Sequence, residues 1–132
     1  MCIDYGLKRI GIAVTDPLQI IATGLVTLGP KELFPFLKNY FTVEGVELVL
    51  VGLPLNLDDS ETNATGPVKL FINRFNKEFP NLRIETIDER YSSKLASRAM
   101  VEMGMKKKNR QDKKNVDVIA ATMLLQEYLE RK

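Results

Sequence analysis

Six consecutive apolar or small residues, Leu48-Val49-Leu50-Val51-Gly52-Leu53, constrain the fold more than any other segment. A strand with one wet face alternates polar and apolar side chains, whereas an unbroken run of this length reads as a strand covered on both faces. Such strands belong to sheets with parallel pairs and helices on either side. The flanking segments fit that architecture. Downstream, Val68, Phe71, Ile72 and Phe75 recur at helical spacing, and Leu82, Ile84, Thr86 and Asp88 form one face of a further strand. Upstream, Leu33, Phe34, Leu37, Tyr40 and Phe41 mark a helix that starts near Pro30, with Pro35 in its first turns.

The N-terminal third reads differently. Met1-Cys2-Ile3-Asp4 is a short strand, Tyr5 to Lys8 a turn, and Arg9 to Thr15 a second strand of alternating apolar and small residues. Asp16-Pro17 signals a turn, and a third strand runs over about Thr23 to Leu28 before Gly29-Pro30. Three strands with short connections form an antiparallel meander. Pro54 to Thr65 reads as a polar loop leading into a helix. Lys94 to Met103 reads as a helix that stops near Gly104, and a last helix covers about Val116 to Leu129. The expected fold is α/β: a mixed five-stranded sheet, three antiparallel strands and then two parallel, with helices on both faces. With 132 residues, 45% of them hydrophobic, the chain suits one domain over 1–132.

Composition removes several chemistries. The chain has no histidine, so Ser-His-Asp and Cys-His hydrolases and the usual zinc sites are excluded. One cysteine, Cys2, allows no disulfide within the chain and fits a reducing compartment. No apolar run approaches membrane-spanning length and no signal-peptide pattern opens the chain, so a cytoplasmic protein is expected. Catalysis must then rest on carboxylates, Lys, Arg, Ser, Thr or Tyr. An oxygen-only donor set points to Mg²⁺ or Mn²⁺ if a metal takes part.

Three acidic positions stand out. Asp4 ends the first strand beside Gly6, where it is either a site carboxylate on a rigid element or a turn former. Asp88-Glu89-Arg90 ends the fifth strand; alternation sends the two acids to opposite faces, so one of them at most is a direct metal ligand unless the strand has already ended. Asp117 shares a helix face with Ala120, Ala121, Leu124 and Tyr128, where a charge needs a partner: a metal, a basic side chain or backbone donors. The alternative is an N-cap or first-turn aspartate favoured by the helix dipole. Acids from separate elements meeting at one sheet edge are tolerable when divalent cations offset their repulsion.

Basic and polar residues surround these positions. Lys8 and Arg9 lie on the turn beside Asp4, as phosphate contacts or as surface charges. Asn56 follows the buried strand, at the carboxyl end where open α/β sheets place ligands. The stretch 106–114 holds six Lys or Arg, among them Lys106, Lys107, Lys108 and Arg110, against one acid. It is either a solvated loop or a contact for nucleic-acid phosphates. No aromatic residue interleaves the basic ones, which suits tracking a backbone rather than reading bases.

Four segments together resemble one family. Asp4-Tyr5-Gly6-Leu7-Lys8-Arg9-Ile10-Gly11-Ile12-Ala13-Val14 is similar to the opening of YqgF-type proteins, and Val51-Gly52-Leu53-Pro54-Leu55-Asn56 to their central strand and loop. Asp88-Glu89-Arg90-Tyr91-Ser92-Ser93 resembles their Asp-Glu-Arg motif, and Lys114-Asn115-Val116-Asp117-Val118-Ile119-Ala120-Ala121 their C-terminal helix. The resemblance implies an RNase H-like fold and a nuclease, described in the family as a Holliday junction resolvase or a nuclease maturing the 5′ end of pre-16S rRNA. It implies Asp4, the pair Asp88/Glu89 and Asp117 as metal-binding catalytic residues, and Lys8, Arg9 and Arg90 as phosphate contacts. Branched DNA or precursor rRNA would be the partner, and a homodimer suits a symmetric junction.

Two features depart from the family. Fewer residues precede the Asp-x-Gly than is usual, so the first strand looks clipped, which would either weaken the sheet by a missing edge or signal an alternative start. The wider RNase H-like group commonly places its second acid at the end of the fourth strand, which here reads Leu53-Pro54-Leu55-Asn56 without one, so the second ligand falls to Asp88 or Glu89. Two other readings stay open. One is a nucleic-acid-binding or ribosome-assembly module without catalysis, and the other a phosphotransferase of the ASKHA class, for which the chain is short.

Overall fold

The computed structural model describes residues 1–53, 60, 63, 65–88 and 113–131. Its strands are β1 (Cys2–Tyr5), β2 (Ile10–Thr15), β3 (Ala22–Leu28), β4 (Leu48–Leu53) and β5 (Arg83–Asp88). Its helices are α1 (Pro30–Val43), α2 (Thr65–Glu78) and α3 (Lys113–Arg131). The sheet order is β3-β2-β1-β4-β5, with β1–β2 and β2–β3 antiparallel and β1–β4 and β4–β5 parallel. This is the mixed, RNase H-like sheet read from the sequence. The expected helix over Lys94 to Met103 and most of the Pro54 to Thr65 loop lie outside the described residues.

Alternation along each strand builds two cores. Ile3, Ile10, Ile12, Val49 and Val51 face α1 and α2, where Leu33, Leu37, Val68, Phe71 and Phe75 meet them. Aromatic rings extend this side: Phe75 lies 5.0 Å from Phe79, and Phe79 5.0 Å from Phe41, centroid to centroid. Cys2, Ala13, Leu50 and Ile87 face the other way, against Ala121, Leu124 and Leu125 of α3. Helices therefore cover both faces, and the run Leu48–Leu53 is sandwiched as its composition requires.

The short first strand is no edge. β1 sits in the middle of the sheet, and the Leu50 N–H donates to the Met1 carbonyl at 2.8 Å, extending the pairing to the first residue. Pro35 lies in the second turn of α1 and has no N–H for the carbonyl four residues back; the helix runs through it to Val43. Among the described residues, no helix is long and apolar enough to cross a membrane.

The β2–β3 turn is held by Asp16. Its carboxylate accepts the N–H groups of Leu18 at 3.2 Å and of Ile20 and Ile21 at 2.8 Å each. The amides of Ile21 and Ile20 are the main reason that its carboxyl titrates below the ordinary carboxylate value. Because folding lowers this value, the stabilisation is present above the unfolded value and is lost as pH falls through the folded one. Protonation, or Asp16→Ala at neutral pH, is expected to strip exchange protection from the Ile20 and Ile21 amides and leave the sheet amides protected. Amide exchange by NMR measures this, and unaltered protection at those two amides would disprove it.

Candidate nuclease site

The carboxyl ends of the parallel strands, the β1–β2 connection and the first half of α3 converge at one edge of the sheet. Asp4 is the penultimate residue of β1. Its neighbours anchor the strand: Ile3 is fully buried, and the Tyr5 ring stacks on Phe71 with centroids 5.0 Å apart. Ile3 and Tyr5 belong to the α1/α2 side, so alternation directs Asp4 to the α3 side, the side of Cys2.

Glycines keep that side low around Asp4. Directly opposite it on β2 is Gly11, and the pairing of Ile3 with Val51 sets Gly52 of β4 at its level. A Cβ at Gly11 would overlap the backbone carbonyl of Asp117. The missing side chain is what lets α3 descend onto β2, bringing Asp117 beside the strand position opposite Asp4. Cross-strand partners share a face and lie about 5 Å apart between Cα atoms. Asp4 and the Asp117 segment of α3 are therefore neighbours on one face. Further along, Val118 packs over Gly24 of β3, and Gln126 Oε1 accepts the Ala22 N–H at 3.0 Å.

Asp117 has the partner that its position demands. Arg9 Nε donates to Asp117 Oδ2 at 3.0 Å, with the two side chains 33% and 21% exposed. A partly buried pair of this kind contributes roughly 1 kcal/mol. The helix begins at Lys113, earlier than the expected Val116, so Asp117 is neither an N-cap nor a first-turn residue. Gly6 faces the chain's own Arg9 carbonyl, which a Cβ there would overlap, so this glycine is required by the turn itself.

The remaining positions divide. Lys8 is exposed on the same turn. Asp88 ends β5, paired with Leu53 at the same sheet edge. Ile87 packs toward α3, so alternation directs Asp88 to the α1/α2 side, away from Asp4 and Asp117. Asn56, Glu89, Arg90, Lys106, Lys107, Lys108 and Arg110 lie outside the described residues. Among the described residues, no group of three or more His, Cys, Asp or Glu gathers as a metal site. Asp4 and Asp117, whose backbones meet across Gly11, are carboxylates, the hard oxygen donors that Mg²⁺ and Mn²⁺ take. A cleft of about 490 Å³ lined by Thr15, Asp16, Leu48, Arg83 and Tyr128 lies at the opposite end of the sheet and includes neither acid.

Sequence reasoning missed the ion pair between Arg9 and Asp117 and the role of Gly11. A glycine inside a strand signals close approach of another backbone, and the small residues Gly11, Ala13 and Gly24 on the strands carried that signal.

Comparison with known proteins gives the family. A family model described as "RuvX: Holliday junction resolvase" matches residues 1–131. A Flavobacterium psychrophilum protein named "Putative pre-16S rRNA nuclease" is 47% identical over 132 residues, covering 100% of this chain and 96% of its own. Proteins of the same name from Christiangramia forsetii and Bacteroides fragilis are each 46% identical, over 98% and 100% of this chain and 96% of theirs. The Fowlpox virus resolvase, solved in complex with Holliday junction DNA, superposes with a TM-score of 0.53 at 14% identity, over 98% of this chain and 95% of that one, a likeness of fold. With a family match along nearly its entire length and relatives close to half identical, the chain belongs to the RuvX (YqgF) family.

Proposed function

We propose that this protein is a metal-dependent endonuclease, one domain over 1–132, that hydrolyses phosphodiester bonds in structured nucleic acid. The names of its relatives point to precursor 16S rRNA, with a Holliday junction as the other substrate of the family. The observation that carries the reading is the seating of Asp117 on Gly11, directly across from Asp4, at the carboxyl edge of the sheet. Two carboxylates on one face, with glycines around them, leave both room and hard donors for a divalent cation.

Asp4 and Asp117 hold Mg²⁺ or Mn²⁺ in this reading, and Glu89 completes the set. Glu89 is preferred to Asp88 because Asp88 belongs to the opposite face of β5. Asp88 then contributes to catalysis only indirectly. When bound, the cation supplies Lewis-acid stabilisation of the charge that builds on the phosphoryl oxygens. Arg9, Lys8 and Arg90 steady the scissile phosphate, Arg9 and Arg90 through guanidinium geometry that matches two phosphate oxygens. Asn56 would contact the substrate, and Lys106, Lys107, Lys108 and Arg110 would track its phosphate backbone.

The test is cleavage of a precursor-16S RNA fragment and of a four-way DNA junction with Mn²⁺, with Mg²⁺ and with EDTA. Cut product from at least one substrate with either metal, and none with EDTA, is expected. Retarded bands in a gel-shift assay without any metal-dependent product would overturn the enzymatic reading in favour of a binding or ribosome-assembly module.

A further inference from the structure

Arg9 has two claims on it. It already donates to Asp117 Oδ2, so its guanidinium takes a carboxylate oxygen that an oxygen-seeking cation also requires. It also stands on the β1–β2 connection at the sheet edge where a phosphate would arrive, and arginine binds phosphate by the same donors that it offers a carboxylate. The ion pair is not what seats the helix. Gly11, Gly24, the buried Ala120 and Ala121, and the bond from the Ala22 N–H to Gln126 hold α3 on the sheet. With side chains 33% and 21% exposed, the pair can open without unpacking the core.

We infer that Arg9 is a displaceable counter-ion for Asp117. It neutralises and orients the carboxylate in the empty site, gives it up when a divalent cation binds, and passes to a phosphate of the substrate. This rests on Asp117 being a metal-binding residue. Competition from Arg9 weakens cation binding to the free protein. A substrate phosphate that captures the guanidinium removes the competitor, so metal and substrate each tighten the binding of the other, as linkage demands. Arg9 is thus a positioning residue that makes loading of the metal depend on the nucleic acid.

The test is Mn²⁺ titration by calorimetry on the full chain: wild type, Arg9→Gln, Arg9→Lys and Asp117→Asn. Each is measured alone and with a nuclease-resistant 2′-O-methyl RNA oligonucleotide as the phosphate probe. Arg9→Gln is expected to bind Mn²⁺ about tenfold more tightly than wild type in the absence of RNA, the scale set by losing one close competing charge. The oligonucleotide is expected to tighten Mn²⁺ binding to wild type and to leave Arg9→Gln unchanged. Without metal, Arg9→Gln melts lower than wild type, yet Mn²⁺ raises its melting temperature more. Arg9→Lys, which keeps a cation with different geometry, falls between the two and carries the test if the glutamine variant does not fold. Abolished Mn²⁺ binding in Asp117→Asn together with equal or weaker binding in Arg9→Gln would overturn the role of Arg9 and leave the metal site standing. Absence of Mn²⁺ binding in every protein, with or without RNA, would overturn both.

Discussion

Asp4→Asn is expected to lower metal-dependent cleavage by roughly three orders of magnitude or more while the protein stays folded. Asparagine fills the same volume and keeps one acceptor oxygen, but it lacks the charge that a divalent cation needs. The strand around it has no reason to move, since Ile3 is buried and Tyr5 is stacked on Phe71 whatever stands between them. The amide also keeps the volume of the side chain and most of its hydrogen-bonding capacity, so the melting temperature without metal should stay close to that of wild type. The same assay separates the acids at the end of β5. Asp88→Asn, on the face away from α3, should cost less than about tenfold, whereas Glu89→Gln should approach the Asp4 variant. Single-turnover cleavage with Mn²⁺, beside thermal melting, reads both quantities. Unchanged cleavage by the Asp4 variant would end the assignment, and a severe loss in the Asp88 variant alone would exchange the roles of the pair.

The sheet was legible because its signals are local. The continuous run Leu48–Leu53 has few other uses, and the switch from period two to helical spacing after Pro30 marks where the meander ends and the crossovers begin. The candidate acids were legible by position, Asp4 near a strand end and Asp117 on an otherwise apolar helix face. The partner of Asp117 was not. The pair formed by Arg9 and Asp117 spans 108 residues of sequence, and no periodicity encodes a contact of that separation. The start of α3 was misplaced because the residues before Val116 are polar and carry no apolar stripe, so the first turn was hidden and an N-cap role for Asp117 stayed open. The central place of β1 was hidden for a different reason. Four residues at a terminus look like an edge, and only pairing with both β2 and β4 reveals a middle strand.

Gly11→Val should be the most damaging single change to the fold of the site. Any side chain at this position meets the carbonyl of Asp117 and the amide of Val118, and these are backbone atoms that cannot rotate aside. Either α3 lifts from β2 or the strand bends, and overpacking of this kind costs about 2–3 kcal/mol. For a chain of this size that corresponds to a fall in melting temperature of roughly 8–12 °C. Stability is only half of the effect. Lifting the first half of α3 carries Asp117 away from Asp4, so Mn²⁺ affinity should fall well below the melting transition, where the protein is still folded. Gly24→Ala is the control. The atom that its new Cβ would meet first belongs to the Val118 side chain rather than to the helix backbone, and Gln126 still ties the helix to Ala22. That variant should lose a smaller part of its stability and keep its affinity for Mn²⁺. A Gly11 variant that melts lower yet binds Mn²⁺ as wild type does would mean that the close descent of α3 onto β2 serves packing alone and does not place Asp117 for the cation.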